Sequence, residues 1–162
     1  MSNNNLFDLT GKTVIITGGA HGIGKASGEM LAKSGANIVV SDYDIAGAKA
    51  AAQALVAAGH KAIAIKCDVT KDEDLVALVD RALKEFGSIN VLLNNVGGGI
   101  AGKESPFEIE VAEFKRVFDM NVFSMWRLCQ LVAPHMKASG YGSIINMSSM
   151  ASINKSPAVS AY

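Results

Sequence analysis

A chain of 162 residues has the size of one compact domain and is too short for two. With 49% apolar and only 19% charged residues it can bury a core, which excludes intrinsic disorder. Fifteen basic residues balance fifteen acidic ones, so there is no electrostatic case for a nucleic-acid or anionic-membrane partner, and a small molecule leads the list.

Two cysteines, Cys67 and Cys129, are too few for a disulfide framework and too far apart for a local metal pair; no metal site is expected. The polar, Asn-rich start shows no basic segment followed by an apolar one, and no apolar run is long enough to cross a bilayer. The expectation is a soluble protein of the reducing cytoplasm.

Apolar residues then alternate between two rhythms, short β-branched runs and longer stretches with helical spacing, which is a βαβ pattern. The run Thr13 to Thr17 is continuously apolar and reads as a strand buried on both faces. From Gly22 to Ser34 the charges Lys25, Glu29 and Lys33 share one helical face, which assigns Ile23, Ala26, Met30 and Leu31 to the inward side. Gly35 closes that helix. A second strand runs from Asn37 to Ser41 and ends at Asp42; an alanine-rich helix follows, from about Ile45 to Ala58.

Strand three is Lys61 to Lys66. Thr70 and Glu73 have capping-box spacing, and Leu75, Leu78, Val79, Ala82, Leu83 and Phe86 form an inward stripe that stops at Gly87. Strand four, Asn90 to Asn94, leads into Gly97, Gly98 and Gly99 and a loop to about Ser105. The next helix starts either near Ser105 or near Glu110. A long helix covers about Asn121 to Ala138, and the turn at Gly140 to Gly142 admits strand five, Ser143 to Ser148. Five strands with helical crossovers make a three-layer α/β sandwich of Rossmann type around a parallel sheet ordered 3-2-1-4-5, as a single dinucleotide-binding domain over residues 1–162.

The first strand–helix junction contains Gly18, His21, Gly22, Ile23 and Gly24. Glycines there let backbone approach a pyrophosphate while the helix N-terminus offers N–H groups, although the spacing G-x-x-x-G-x-G differs from the common dinucleotide fingerprint. Asp42 ends strand two where a carboxylate holds the ribose hydroxyls of NAD and repels the 2′-phosphate of NADP. Its neighbour Tyr43 is no arginine, and His21 is a weak substitute for one. NAD is favoured over NADP.

These residues resemble the short-chain dehydrogenase/reductase family over nearly the whole chain. The resemblance rests on Thr17-Gly18-x-x-x-Gly22-x-Gly24, Asp68-Val69, Asn94-Asn95-Val96-Gly97, Asn121, Ser149 and Tyr162 in that order. It implies that Asp68 and Val69 contact adenine, that Asn94, Asn95, Val96 and Gly97 line the cofactor cleft, and that Asn121, Ser149 and Tyr162 are catalytic. Valine stands at 96 where the family usually has alanine, and Ser148 competes with Ser149. The family's lysine, four residues beyond the tyrosine, falls past Tyr162, so the chain reads as truncated, with the later strands missing. In that chemistry a hydride moves to or from nicotinamide and a proton to or from tyrosine. The serine would hold the substrate oxygen, and the asparagine would fix a water.

Within the family, the stretches Asn94 to Gly99, Phe118 to Ser124, Gln130 to Pro134, and Ser149-Met150-Ala151 with Asn154-Lys155 look most like bacterial 7α-hydroxysteroid dehydrogenases. The implied function is oxidation of a secondary alcohol or reduction of a ketone, on a hydroxysteroid or bile acid. The alternatives are a 3-oxoacyl carrier-protein reductase and an NAD-binding fragment without turnover. Family likeness also implies a homotetramer, and Met150 could border the substrate.

Overall fold

The computed structural model describes residues 7–100, 105–153 and 160–162; the first six residues and Asn154-Lys155, which entered the reading above, lie outside them. The elements run β1 (Thr13–Thr17), α1 (Gly22–Lys33), β2 (Asn37–Asp42), α2 (Ile45–Ala57), β3 (Ala62–Lys66), α3 (Asp72–Phe86), β4 (Val91–Asn94), α4 (Val111–Phe118), a π-helical turn (Asp119–Phe123), α5 (Ser124–Ala138), β5 (Ser143–Asn146) and a 3₁₀ turn (Met150–Ser152). All pairings are parallel and the sheet order is β3-β2-β1-β4-β5, as the chain pattern predicts.

Alternation along each strand sends side chains to two cores. On one face Ile15, Val39, Ile65 and Leu92 pack with Leu75, Leu78, Val79 and Ala82 of α3 and Leu128, Val132 and Met136 of α5. On the other, Val14, Ile16, Ile38, Val40, Val91 and Leu93 meet Ala32 of α1 and Ala48, Ala51, Ala52 and Leu55 of α2. Each fully buried aliphatic side chain contributes about 1.5–3 kcal/mol, so these two layers fix the sheet from both sides.

Four sequence expectations need correction. The inward face of α1 is Gly24, Gly28 and Ala32, whereas Ile23 and Met30 are 63% and 70% exposed and Ala26 is exposed too. Small residues at four-residue spacing let this helix lie close on the sheet: a Cβ at Gly28 would stand 3.3 Å from Ile16 Cδ1. The capping box at Thr70 and Glu73 does not form; Lys71 is the N-cap of α3 and caps nothing with its side chain. Thr70 Oγ1 instead donates to Asp68 Oδ1 at 2.7 Å, and Asp74 Oδ2 reaches back to accept from Asp68 N at 2.8 Å.

The long helix expected from Asn121 begins at Val111, with Glu110 as its N-cap, and carries the π-turn in its middle. Strand five stops at Asn146, short of Ser148, and its Ile144 and Ile145 are exposed. Among the described residues no helix is long and apolar enough to cross a membrane.

Candidate functional site

At the carboxyl ends of the strands, where the chain order reverses between β1 and β4, an open α/β sheet has its natural crevice. The turn out of β1 is shaped by Gly18 at φ 64° and Gly22 at φ 52°, left-handed values that favour glycine. Gly24 has a different reason to lack a side chain. A Cβ there would collide with the carbonyl oxygen of Gly18 and lie 2.7 Å from Asn95 Nδ2. No side chain caps the N-terminus of α1 and its first turn carries no acid, so the helix presents uncapped N–H groups at this turn.

Hydrogen bonds from neighbouring strands lock the turn. Asp42, only 6% exposed, accepts from Ala20 N through Oδ2 and from Asp44 N through Oδ1, both at 3.0 Å. Thr17 Oγ1 accepts from the backbone N–H of Asn95 at 3.0 Å and of Val96 at 3.2 Å. Asn95 Nδ2 donates to the carbonyls of Thr17 and Gly18 at 3.1 and 3.2 Å.

Two cavities flank this framework. The first, about 560 Å³, is lined by Gly18, Asp42, Tyr43, Asp68, Val69, Asn95, Val96 and Gly97, all expected at the cofactor site, and also by Cys67, Thr70, Arg116 and Met120. Asp68 is held below the ordinary carboxylate range, first by the Thr70 hydroxyl and then by the Thr70 backbone N–H, with Lys71 and Lys66 adding attraction. The Arg116 guanidinium is bonded to Glu113 at 2.9 Å, which offsets its charge.

The second cavity, about 360 Å³, is lined by Ile23, Asn95, Val96, Gly97, Asn121, Val122, Met147, Ser148, Ser149, Ser152 and Tyr162. It thus brings together the three residues expected to be catalytic, and it shares the wall Asn95, Val96 and Gly97 with the first. A Cβ on Gly97 would lie 3.5 Å from Asn121 Oδ1 and 4.0 Å from Tyr162 Cε2, so this glycine leaves room beside both.

Asn121 sits in the π-turn, and both ends of its amide are engaged with Gly98: Oδ1 accepts from Gly98 N at 3.0 Å and Nδ2 donates to Gly98 O at 2.9 Å. Ser149 is the N-cap of the 3₁₀ turn and its hydroxyl oxygen accepts from Ala151 N at 3.2 Å. That bond uses an acceptor lone pair and leaves the hydroxyl proton available for donation.

Some expected residues lie elsewhere. His21, Gly22 and Gly24 shape the turn but do not line either cavity. The exposed His21 pairs with Asp44 at 3.1 Å, and Asp44 in turn caps α2 by accepting from Ala46 N and Gly47 N. The Gly47 N–H, followed by His21, holds the Asp44 carboxyl below its usual range. Asn94 is buried rather than cleft-lining; its Nδ2 donates to Asn146 Oδ1 at 2.9 Å, joining β4 to β5. Met150 is exposed and absent from the second cavity's wall, where Met147 stands. Among the described residues there is no cluster of metal-ligating side chains.

Sequence reasoning missed Cys67, Thr70, Arg116 and Met120. Met120 directly precedes Asn121, but its apolar character made it look like ordinary packing, and Arg116 reads as a solvated helix charge. Only the fold aims them at the first cavity.

The chain is 40% identical over all 162 residues to 7α-hydroxysteroid dehydrogenase of Escherichia coli strain K12, of which it spans 62%. It is 39% identical over 140 residues to cis-4-hydroxycyclohexanecarboxylate dehydrogenase of Sinomonas cyclohexanicum, covering 86% of this chain and 55% of that one. It is 38% identical over 146 residues to glucose 1-dehydrogenase 2 of Bacillus subtilis, covering 88% and 56%. Among solved structures, 7α-hydroxysteroid dehydrogenase in complex with NADH and 7-oxoglycochenodeoxycholic acid superposes with a TM-score of 0.92 at 40% identity, over all of this chain and 62% of that one. The chain therefore spans less than two thirds of the length of these relatives. Residues 12–162 match the short chain dehydrogenase family, and with the sheet order and the glycine turn in place the chain belongs to that family.

Proposed function

We propose that this chain forms the dinucleotide-binding and proton-transfer part of a cytoplasmic oxidoreductase that interconverts a secondary alcohol and a ketone with NAD. The observation that carries the reading is the shared wall at Asn95, Val96 and Gly97, with an acidic cavity on one side and Asn121, Ser149 and Tyr162 on the other. One elongated ligand could reach across that wall, with its nucleoside end beside Asp42 and Asp68 and its reactive end beside the tyrosine.

The residues present fit a nicotinamide dinucleotide. The N-terminus of α1 is uncapped and without acid, as a pyrophosphate requires, and a Cβ at Gly22 would stand in open space rather than against protein. When bound, such a cofactor supplies the acceptor or donor of a hydride. Asp42 spends one lone pair of each oxygen on backbone N–H groups and keeps the others for a ribose diol. A 2′-phosphate placed there would meet a buried carboxylate, which favours NAD.

On the other side, Ser149 donates its hydroxyl proton to the substrate oxygen and Tyr162 exchanges a proton with it. Asn121 holds the Gly98 backbone, and with it the loop that follows β4. Ile23, Val96, Val122 and Met147 give the second cavity an apolar side suited to a ring-borne hydroxyl. A hydroxysteroid or bile acid is the specific substrate read from the 40% identity to 7α-hydroxysteroid dehydrogenase; the hydroxycyclohexanecarboxylate relative also carries its hydroxyl on a ring.

Calorimetric titration of the full-length protein with NAD and NADP tests the reading. NAD is expected to bind more tightly. Asp42→Ala should lower NAD affinity by about tenfold, roughly 1.4 kcal/mol, and narrow the preference. Binding of neither coenzyme by the wild-type protein would end the proposal.

A further inference from the structure

The π-turn that carries Asn121 has its own fastener. A π-turn adds one residue to a helix, so one backbone carbonyl is passed over where the chain returns to the α register. Here the N–H of Ser124 bonds to Asp119 O, five residues back, and so does not serve the carbonyl of Met120, which an α-helix would assign to it. The Ser124 hydroxyl serves it instead, donating to Met120 O at 2.6 Å. The Ser124 side chain is buried, so water competes little with the carbonyl for its hydroxyl proton.

Return of the turn to α geometry would remove the extra residue. Residues ahead of the removed step rotate by about 100° about the helix axis and shift by about 1.5 Å relative to those behind it. Asn121 lies inside the segment, and its paired bonds to Gly98 N and O, at 3.0 and 2.9 Å, would not survive such a rotation. Gly98 follows Gly97, which fits beside both Asn121 and Tyr162. The chain of dependence thus runs from one hydroxyl, through a helical register, to an amide, and from there to the floor of the second cavity.

We infer that Ser124 is a positioning residue: its hydroxyl holds the π-turn in register and so keeps the Asn121 amide on the Gly98 backbone beside Tyr162. The inference rests on the reading of Asn121 as part of the proton-transfer group, but its main test needs no coenzyme.

The test is hydrogen exchange of the Asn121 side-chain amide, followed by NMR in the intact protein and in Ser124→Ala, Ser124→Thr and Ser124→Cys. In the wild type that amide should be protected. Ser124→Ala should lower its protection by tenfold or more while the sheet amides stay protected, and Ser124→Thr, which retains a hydroxyl, should restore it. Turnover should follow the same order, with kcat falling and KM for the alcohol changing by less than twofold. Unchanged Asn121 protection in folded Ser124→Ala would overturn the inference. So would loss of folding in both the alanine and cysteine variants, since the hydroxyl would then support the whole domain rather than one amide. Failure of the wild type to bind either coenzyme, with the exchange pattern as described, would instead remove the functional reading and leave the register device standing.

Discussion

Cys67 shows how burial at one position changes both chemistry and stability. It lies at the end of β3 in the wall of the first cavity, yet its side chain is nearly inaccessible, and desolvation pushes its thiol up to about 11, helped by the carboxylates of Asp74 and Asp68. An ordinary cysteine thiol stands at 9.0, so the fold favours the protonated form. Stability from this source is fully present below about pH 9 and is lost as pH rises through about 11. Urea unfolding of wild type and Cys67→Ala at pH 8, 9, 10 and 11 should show their stability difference shrinking as pH rises; a constant difference would mean that desolvation does not hold the thiol. At this scale the site was unevenly legible. Asp42 could be named from its place at the end of the second strand, and Asp68, Asn121, Ser149 and Tyr162 because their order and spacing carry the family likeness. That each Asp42 oxygen would also accept one backbone N–H, from Ala20 and Asp44, could not be read, because those bonds depend on the path of two turns.

At the scale of elements, β1 and β2 were the most readable strands because continuous β-branched runs buried on both faces have few other uses. The helices were readable in extent but not always in orientation. For α3, the charged positions and the stripe from Leu75 to Phe86 agreed, and the stripe packs inward as expected. For α1 the large apolar residues misled: Gly24, Gly28 and Ala32 face the sheet, because close packing there required the absence of side chains. A substitution should expose that constraint. Gly28→Val introduces atoms against Ile16 and Ile38 and should destabilise the fold by about 1–3 kcal/mol in urea titrations, although valine is the more apolar residue. A neutral or stabilising result would show that α1 can lift without cost. The π-turn was hidden for a related reason. An apolar stripe reports the average helical period and does not show where a single residue has been inserted.

The scale of the whole molecule joins these observations to assembly and access. The stretch from α4 through α5 leaves Val111, Phe123 and Trp126 exposed, at 69%, 57% and 65%, while Phe114 and Phe118 stack with ring centroids 4.9 Å apart. Apolar surface of this kind is commonly covered by another subunit, and the homotetramer expected from the family likeness can be tested by mass. Sedimentation of the full-length protein should give about four times the protomer mass, and dilution to monomer should red-shift the emission of the single tryptophan. A monomer at all concentrations would remove the assembly. The stitching of Thr17 to Asn95 and Val96 bears on access. Past the last paired residues of β1 and β4, two backbone N–H groups still converge on one hydroxyl, and the amide of Asn95 returns two more bonds. The two strands therefore cannot part like jaws to admit a guest. The spacing between the loops that follow β1 and β4 is thus set before a ligand arrives, and a long guest meets a wall that is already formed.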